Sequence, residues 1–71
     1  MYGGAVNIIF NGRQKGLTQP TSLKSLVEQS CRDSNHVIAE LNGIIIKNHQ
    51  WDKTVLKDGD TLELVNFVGG G

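Results

Sequence analysis

Little in this sequence can staple, charge or anchor a protein. Its 71 residues include one cysteine, Cys31, so no internal disulfide can form. Seven basic and seven acidic side chains cancel. That removes the electrostatic footprint of a protein that lives on phosphate backbones or anionic lipid, and nucleic acid and membrane partners are disfavoured. No apolar run exceeds three residues, as in Ile44-Ile45-Ile46, far below the roughly 20 needed to span a bilayer. The N-terminus has no basic segment followed by an apolar stretch, which together with the cysteine content points to a soluble cytoplasmic protein. The length suits one domain, residues 1–71, near the lower limit for a core without staples.

What is present is a series of short alternating segments. Val6, Ile8 and Phe10 alternate with Asn7, Ile9 and Asn11, the period-two pattern of a strand with one face on a core. Asn11-Gly12 favours the positive φ angles of a type I′ turn, so residues 13–18 should return antiparallel as a polar strand whose charges suit a sheet edge. After Pro20, Ser22 is placed to cap a helix, although Ser25 stands where a full capping box has Glu or Gln. Leu23, Leu26, Val27, Ser30 and Cys31 then recur at the spacing of one helical stripe. Val37, Ala39 and Leu41 alternate with Ile38 and Glu40, and a second Asn-Gly pair, Asn42-Gly43, marks a turn into Ile44-Ile45-Ile46. Residues 47–58 carry Trp51, Val55 and Leu56 without a clean period, which reads as a crossover with one helical turn.

Asp58-Gly59-Asp60 leads into a closing strand from Thr61 to Val68. In it Leu62 and Leu64 fall on one face and Glu63, Val65 and Phe67 on the other. This order implies an α+β fold of β-grasp type: a mixed sheet of four to five strands packed on one main helix. Its first and last strands should lie side by side and parallel in the middle of the sheet. The chain then ends on Gly69-Gly70-Gly71, with residues 68–71 as a flexible tail. Glycine has no Cβ to collide with a narrow channel, and four extended residues reach roughly 13 Å at about 3.3 Å each. A tail leaving a central strand would be directed by the most buried element of the fold.

The Asn11-Gly12 turn, the helix opening at Ser22-Leu23, Leu41-Asn42-Gly43, the Trp51 region, Leu56-Lys57-Asp58-Gly59-Asp60 and a strand running into terminal glycines occur here in one order within one short chain. In that order the sequence resembles the ubiquitin-like sulfur carriers, most closely the ThiS family of thiamin biosynthesis. Two features depart from the pattern: three final glycines in place of two, and Met1-Tyr2-Gly3-Gly4 before the first strand. The related molybdopterin-synthase small subunit approaches its glycines through a more elaborate segment, which Asn66-Phe67-Val68 does not match.

The resemblance implies a carrier and co-substrate of other enzymes, with no catalytic residue and no permanently bound cofactor. A ThiF-like, E1-like enzyme would use ATP to adenylate Gly71. A persulfide protein would supply the sulfur, and the resulting Gly71 thiocarboxylate would serve a ThiG-like thiazole synthase. Gly69 and Gly70 would provide clearance for that chemistry. Val65, Phe67 and, at the root of the tail, Val68 are the expected partner interface, with Ile9 and Ile38 as candidate neighbours on the same sheet face, unless loops cover that face or the two faces are exchanged. A carrier for another pathway (molybdopterin or cysteine biosynthesis), a modifier conjugated to lysine through Gly71, and a binding module with an idle tail remain as alternatives.

Several residues invite other chemistry. Cys31 is a soft nucleophile, but its place on the helix stripe makes it a small buried hydrophobe. His36 and His49, with one cysteine, match no zinc spacing, and no metal site is expected. Trp51 reads as a cap on the core from the crossover. Asp58 and Asp60 are explained by turn chemistry, while Glu63 is placed to meet a basic partner surface.

Overall fold

In a computed structural model the chain is described over residues 5–31 and 33–66. Strand β1 is Val6–Phe10 and β2 is Arg13–Leu17; the helix α1 is Leu23–Ser30. After a short 3₁₀ turn at Ser34–His36 come β3, Val37–Leu41, and β4, Ile44–Ile46. A 3₁₀ segment, Asn48–Lys53, crosses to β5, Thr61–Asn66. The sheet order is β2-β1-β5-β3-β4. β1 and β5 are parallel and every other pair is antiparallel, so β5 is the central strand. This is the expected β-grasp arrangement of a mixed sheet on one main helix.

Local chemistry accounts for each boundary. Asn11 and Gly12 adopt φ of 50° and 82°, and Asn42 and Gly43 adopt 53° and 84°. These are the left-handed values that a two-residue hairpin requires and that asparagine and glycine tolerate. The Ser22 hydroxyl caps α1 by accepting from the Ser25 N–H at 3.1 Å. The Ser25 hydroxyl completes a small local network by lying 3.1 Å from that of Ser22. α1 stops one residue before Cys31, whose N–H still donates to the Val27 carbonyl at 2.8 Å. The stripe is therefore shorter than the spacing implies: Ser30 is exposed, and Cys31 is half-buried against the rim of the core.

Alternation sorts the sheet into two faces. Ile8, Ala39 and Leu62 point toward α1, where they pack with Leu23, Leu26, Val27 and Leu56, all fully buried. Each buried leucine or isoleucine contributes about 1.5–3 kcal/mol. Trp51 closes the end of this core: it is 4% exposed, and its indole N–H donates to the Ile46 carbonyl at 2.8 Å, which satisfies the one polar atom that burial would otherwise strand. The crossover is tied to the start of α1 by Leu23 N–H to Thr54 carbonyl (2.7 Å) and Leu56 N–H to Thr21 carbonyl (2.9 Å).

Candidate functional site: the central strand and its open face

Both hairpin turns bond to β5 through an asparagine side chain, beside the ladders that β1 and β3 form with it. The Asn11 carboxamide oxygen accepts from the Leu64 N–H at 2.8 Å, while the Asn11 N–H donates to the Leu62 carbonyl at 2.9 Å. On the other side the Asn42 side chain accepts from the Thr61 N–H at 2.9 Å and donates to Asp60 Oδ1 at 2.9 Å, and its N–H donates to the Thr61 carbonyl at 2.8 Å. Both hairpin turns therefore clamp the same strand. A turn residue chosen for its backbone also has a short amide arm, and β5 is what that arm reaches.

The acidic turn before β5 is likewise structural. Asp58 accepts from the Asn7 N–H at 2.8 Å, Gly59 N–H donates to the Asn7 carbonyl at 2.8 Å, and Asp60 Oδ2 accepts from the Lys57 N–H at 2.7 Å. The two bonds to Asn7 extend the pairing of β1 beyond the ladder. No group of His, Cys, Asp and Glu suited to a metal ion occurs among the described residues.

The two histidines lie on the surface. The ring of His36 contacts Asp33 at 2.7 Å. The Asp33 carboxyl is held below its ordinary pKa, first by the hydrogen bond from the Asn35 N–H and then by His36. His49 lines a groove of about 270 Å³ with Lys24, Glu28, Trp51 and Asp52, on the helix side of the sheet.

The open face of the sheet carries Asn7, Ile9, Ile38, Glu40, Ile45, Glu63 and Val65, the residues alternate to the core positions of their strands. Val65 is 54% exposed and lies directly opposite Ile38, 42% exposed, in the β3–β5 ladder. Of the expected interface residues, Val65 is thus on an uncovered face beside Ile38. Phe67, Val68, Gly69, Gly70 and Gly71 lie outside the described residues. Ile9 requires a correction. It is half-buried and aligns with Thr61, so Glu63 intervenes between it and Val65. The parallel register of β1 on β5 produces this offset, and a pattern of alternation within each strand does not contain it.

The sequence reading also missed a feature of that face. Glu40 and Glu63 are directly opposite one another in the ladder, and Ile45 lies opposite Glu40 on the far side. Like charges at such positions oppose pairing. The ion pair found among the described residues is Asp33 with His36; no described cation reaches Glu40 or Glu63.

A parallel pair of first and last strands, an antiparallel pair on either side and one covering helix define a β-grasp domain with one face of its sheet left open. The chain belongs to the ThiS family, whose model matches residues 8–71. The crystal structure of the thiamine biosynthesis protein ThiS from Geobacter metallireducens superimposes with a TM-score of 0.79 at 29% identity, covering 93% of this chain and all of that one. The solution structure of a thiamine biosynthesis protein from the same organism gives 0.77, covering 93% and 88%. An uncharacterised protein, ycf40, of Pyropia yezoensis is 35% identical over 66 residues, 93% of each chain. The thiazole synthase of Paramagnetospirillum magneticum is 29% identical over 66 residues, which are 93% of this chain and 20% of that protein.

Proposed function

We propose that the chain is a sulfur carrier for thiazole formation in thiamin biosynthesis, with the carboxyl end of Gly71 as its reactive group. The observation that carries this reading is the family match, which runs through residue 71 and so includes the glycine end. A ThiS-like segment within a thiazole synthase supports the acceptor, because two activities joined in one chain act on a common intermediate.

A terminal carboxylate has a pKa near about 3.5 and is a poor electrophile at neutral pH. A ThiF-like enzyme transfers AMP from ATP to the Gly71 carboxylate and releases pyrophosphate, which makes the carbonyl carbon electrophilic. The terminal sulfur of a protein persulfide attacks that carbon and AMP departs. A thiol then cleaves the acyl S–S bond, which leaves one sulfur on Gly71 as a thiocarboxylate for the synthase. Gly69 and Gly70 keep the approach to the carbon clear, and this chain supplies no catalytic group. Ordering such a tail in an enzyme costs about 1–2 kcal/mol per residue, at the upper end for glycine, so binding must be supported elsewhere. Val65, with Phe67 and Val68 toward the tail, supports it through apolar contact.

The test is intact mass of the protein isolated from cells. A carrier gains one sulfur in place of one oxygen, and Gly71→Val folds normally but is not loaded. Covalent conjugates to other proteins in place of that gain would establish a modifier instead.

A further inference from the structure

We propose that Asn11 is a positioning residue: its side chain sets the heading of β5 where the chain leaves for its glycines, so that the Gly71 carboxyl reaches the activating enzyme in register. This rests on the carrier reading above.

The two flanks of β5 are held unequally. Toward β3 the ladder continues to the end of the strand, from Leu41 with Leu62 to Val37 with Asn66. Toward β1 it stops early: Ile9 aligns with Thr61 and Phe10 with Leu62, and the Asn11 N–H closes the row on the Leu62 carbonyl. The chain then turns away into β2. Leu64, two residues further along β5, is held on this flank by the Asn11 carboxamide oxygen at 2.8 Å. Among the described residues no other hydrogen bond from β1 or its turn reaches beyond Leu62. A side-chain oxygen thus stands where the next backbone carbonyl of β1 would be, and it is the last tie on that side before the glycines.

Twist makes that tie consequential. Strands with fewer neighbours twist more strongly, so a β5 end held by β3 alone would coil away from the direction it has when held on both sides. From Leu64 to Gly71, seven residues drawn out in an enzyme channel span about 23 Å, and a change of heading of about 10° moves the far end by about 4 Å. A reacting carbon tolerates far less, since a misplacement of about 1 Å can cost about 100-fold in rate. An enzyme can impose the right heading on a loosened strand, but the free chain then holds it only part of the time, and apparent affinity falls by that fraction. Asn42 is the matched control within the fold. It has the same Asn-Gly turn, φ of 53° against 50°, and a carboxamide oxygen on the same strand, but it holds the Thr61 N–H, at the end away from the glycines. Asn11 touches no reacting atom.

The test compares Asn11→Gly, Asn11→Asp and Asn42→Gly in the full chain. Glycine keeps the left-handed turn and removes the arm, whereas aspartate keeps both the turn and the acceptor. In amide exchange followed by NMR, Asn11→Gly should speed Leu64 about tenfold beyond the change shared by core amides, and Asn11→Asp should restore it. Asn42→Gly should speed Thr61 instead. With a purified ThiF-like enzyme from the same organism, isotopic exchange of pyrophosphate into ATP should show the KM for the carrier raised about fivefold in Asn11→Gly, with kcat within about twofold and both values restored in Asn11→Asp. Asn42→Gly gives up two side-chain bonds and should lose at least as much stability in urea, yet keep the wild-type KM. An equal rise in KM in both glycine variants, an unchanged KM in Asn11→Gly, unchanged Leu64 exchange, or a defect that aspartate does not rescue would each overturn the positioning role. Absence of pyrophosphate exchange with the wild-type chain would remove the carrier reading and this role with it, so the two failures are distinguishable.

Discussion

The two faces of β5 are built from one alternating stretch and have opposite fates. Leu62, on the helix side, is completely buried; Glu63 and Val65, on the other, are exposed. The inner face is continuous in chemistry, with apolar groups contributed by β1, β3, α1 and the crossover. The outer face is mixed: a half-buried Ile9, two opposed glutamates, then Ile38 and Val65. Stability is concentrated on one side of a single strand, which leaves the other free to be shaped by something outside the chain. That contrast teaches how one strand can be anchored by its inner face and present its outer one.

The sharpest way to break the contrast is to attack the inner face. Leu62→Ala should lower the free energy of unfolding by about 2–5 kcal/mol in urea titration, from lost transfer energy and an unfilled cavity under α1. Asn11→Ala should come next, at about 1–3 kcal/mol by the same measurement. It forces alanine to a φ near 50° and removes the acceptor of the Leu64 N–H.

On the outer face, Val65→Ser should change stability by less than about 0.5 kcal/mol. Under the carrier reading it nevertheless weakens binding to partner enzymes, so a loss of stability equal to that of Leu62→Ala would erase the distinction between the faces.

The smallest effect belongs to Asp33, away from both. Its folded pKa is lowered, so its contribution is present above the unfolded pKa of about 3.8 and is lost as pH falls through the lower folded value. Asp33→Asn should lower stability slightly at neutral pH, flatten the acid limb of a stability-against-pH curve in that window and converge with wild type below it.

Sequence reading reached the strands, both Asn-Gly turns, the Ser22 cap and the role of Trp51 because each is written in nearby residues. It extended the helix stripe through Cys31, since periodicity alone does not register the turn of the chain after Ser30. It placed Val65 and Ile38 together correctly, because both follow from alternation on antiparallel neighbours. It also placed Ile9 beside them, where the register of β1 on β5 puts Glu63 in between. The bonds from Asn11 and Asp58 join residues 53 and 51 positions apart, and no local signal announces them.

The sequence by itself thus determined which residues turn, which alternate and which carry glycine at the end, because positive φ, side-chain parity and clearance are properties of one or a few neighbouring residues. Tertiary structure alone decided that β5 is central, that both turn asparagines hold it, and that Glu40 meets Glu63. Those facts depend on the register between segments distant in the chain, where a shift of one residue would turn every side chain of a strand to the opposite face.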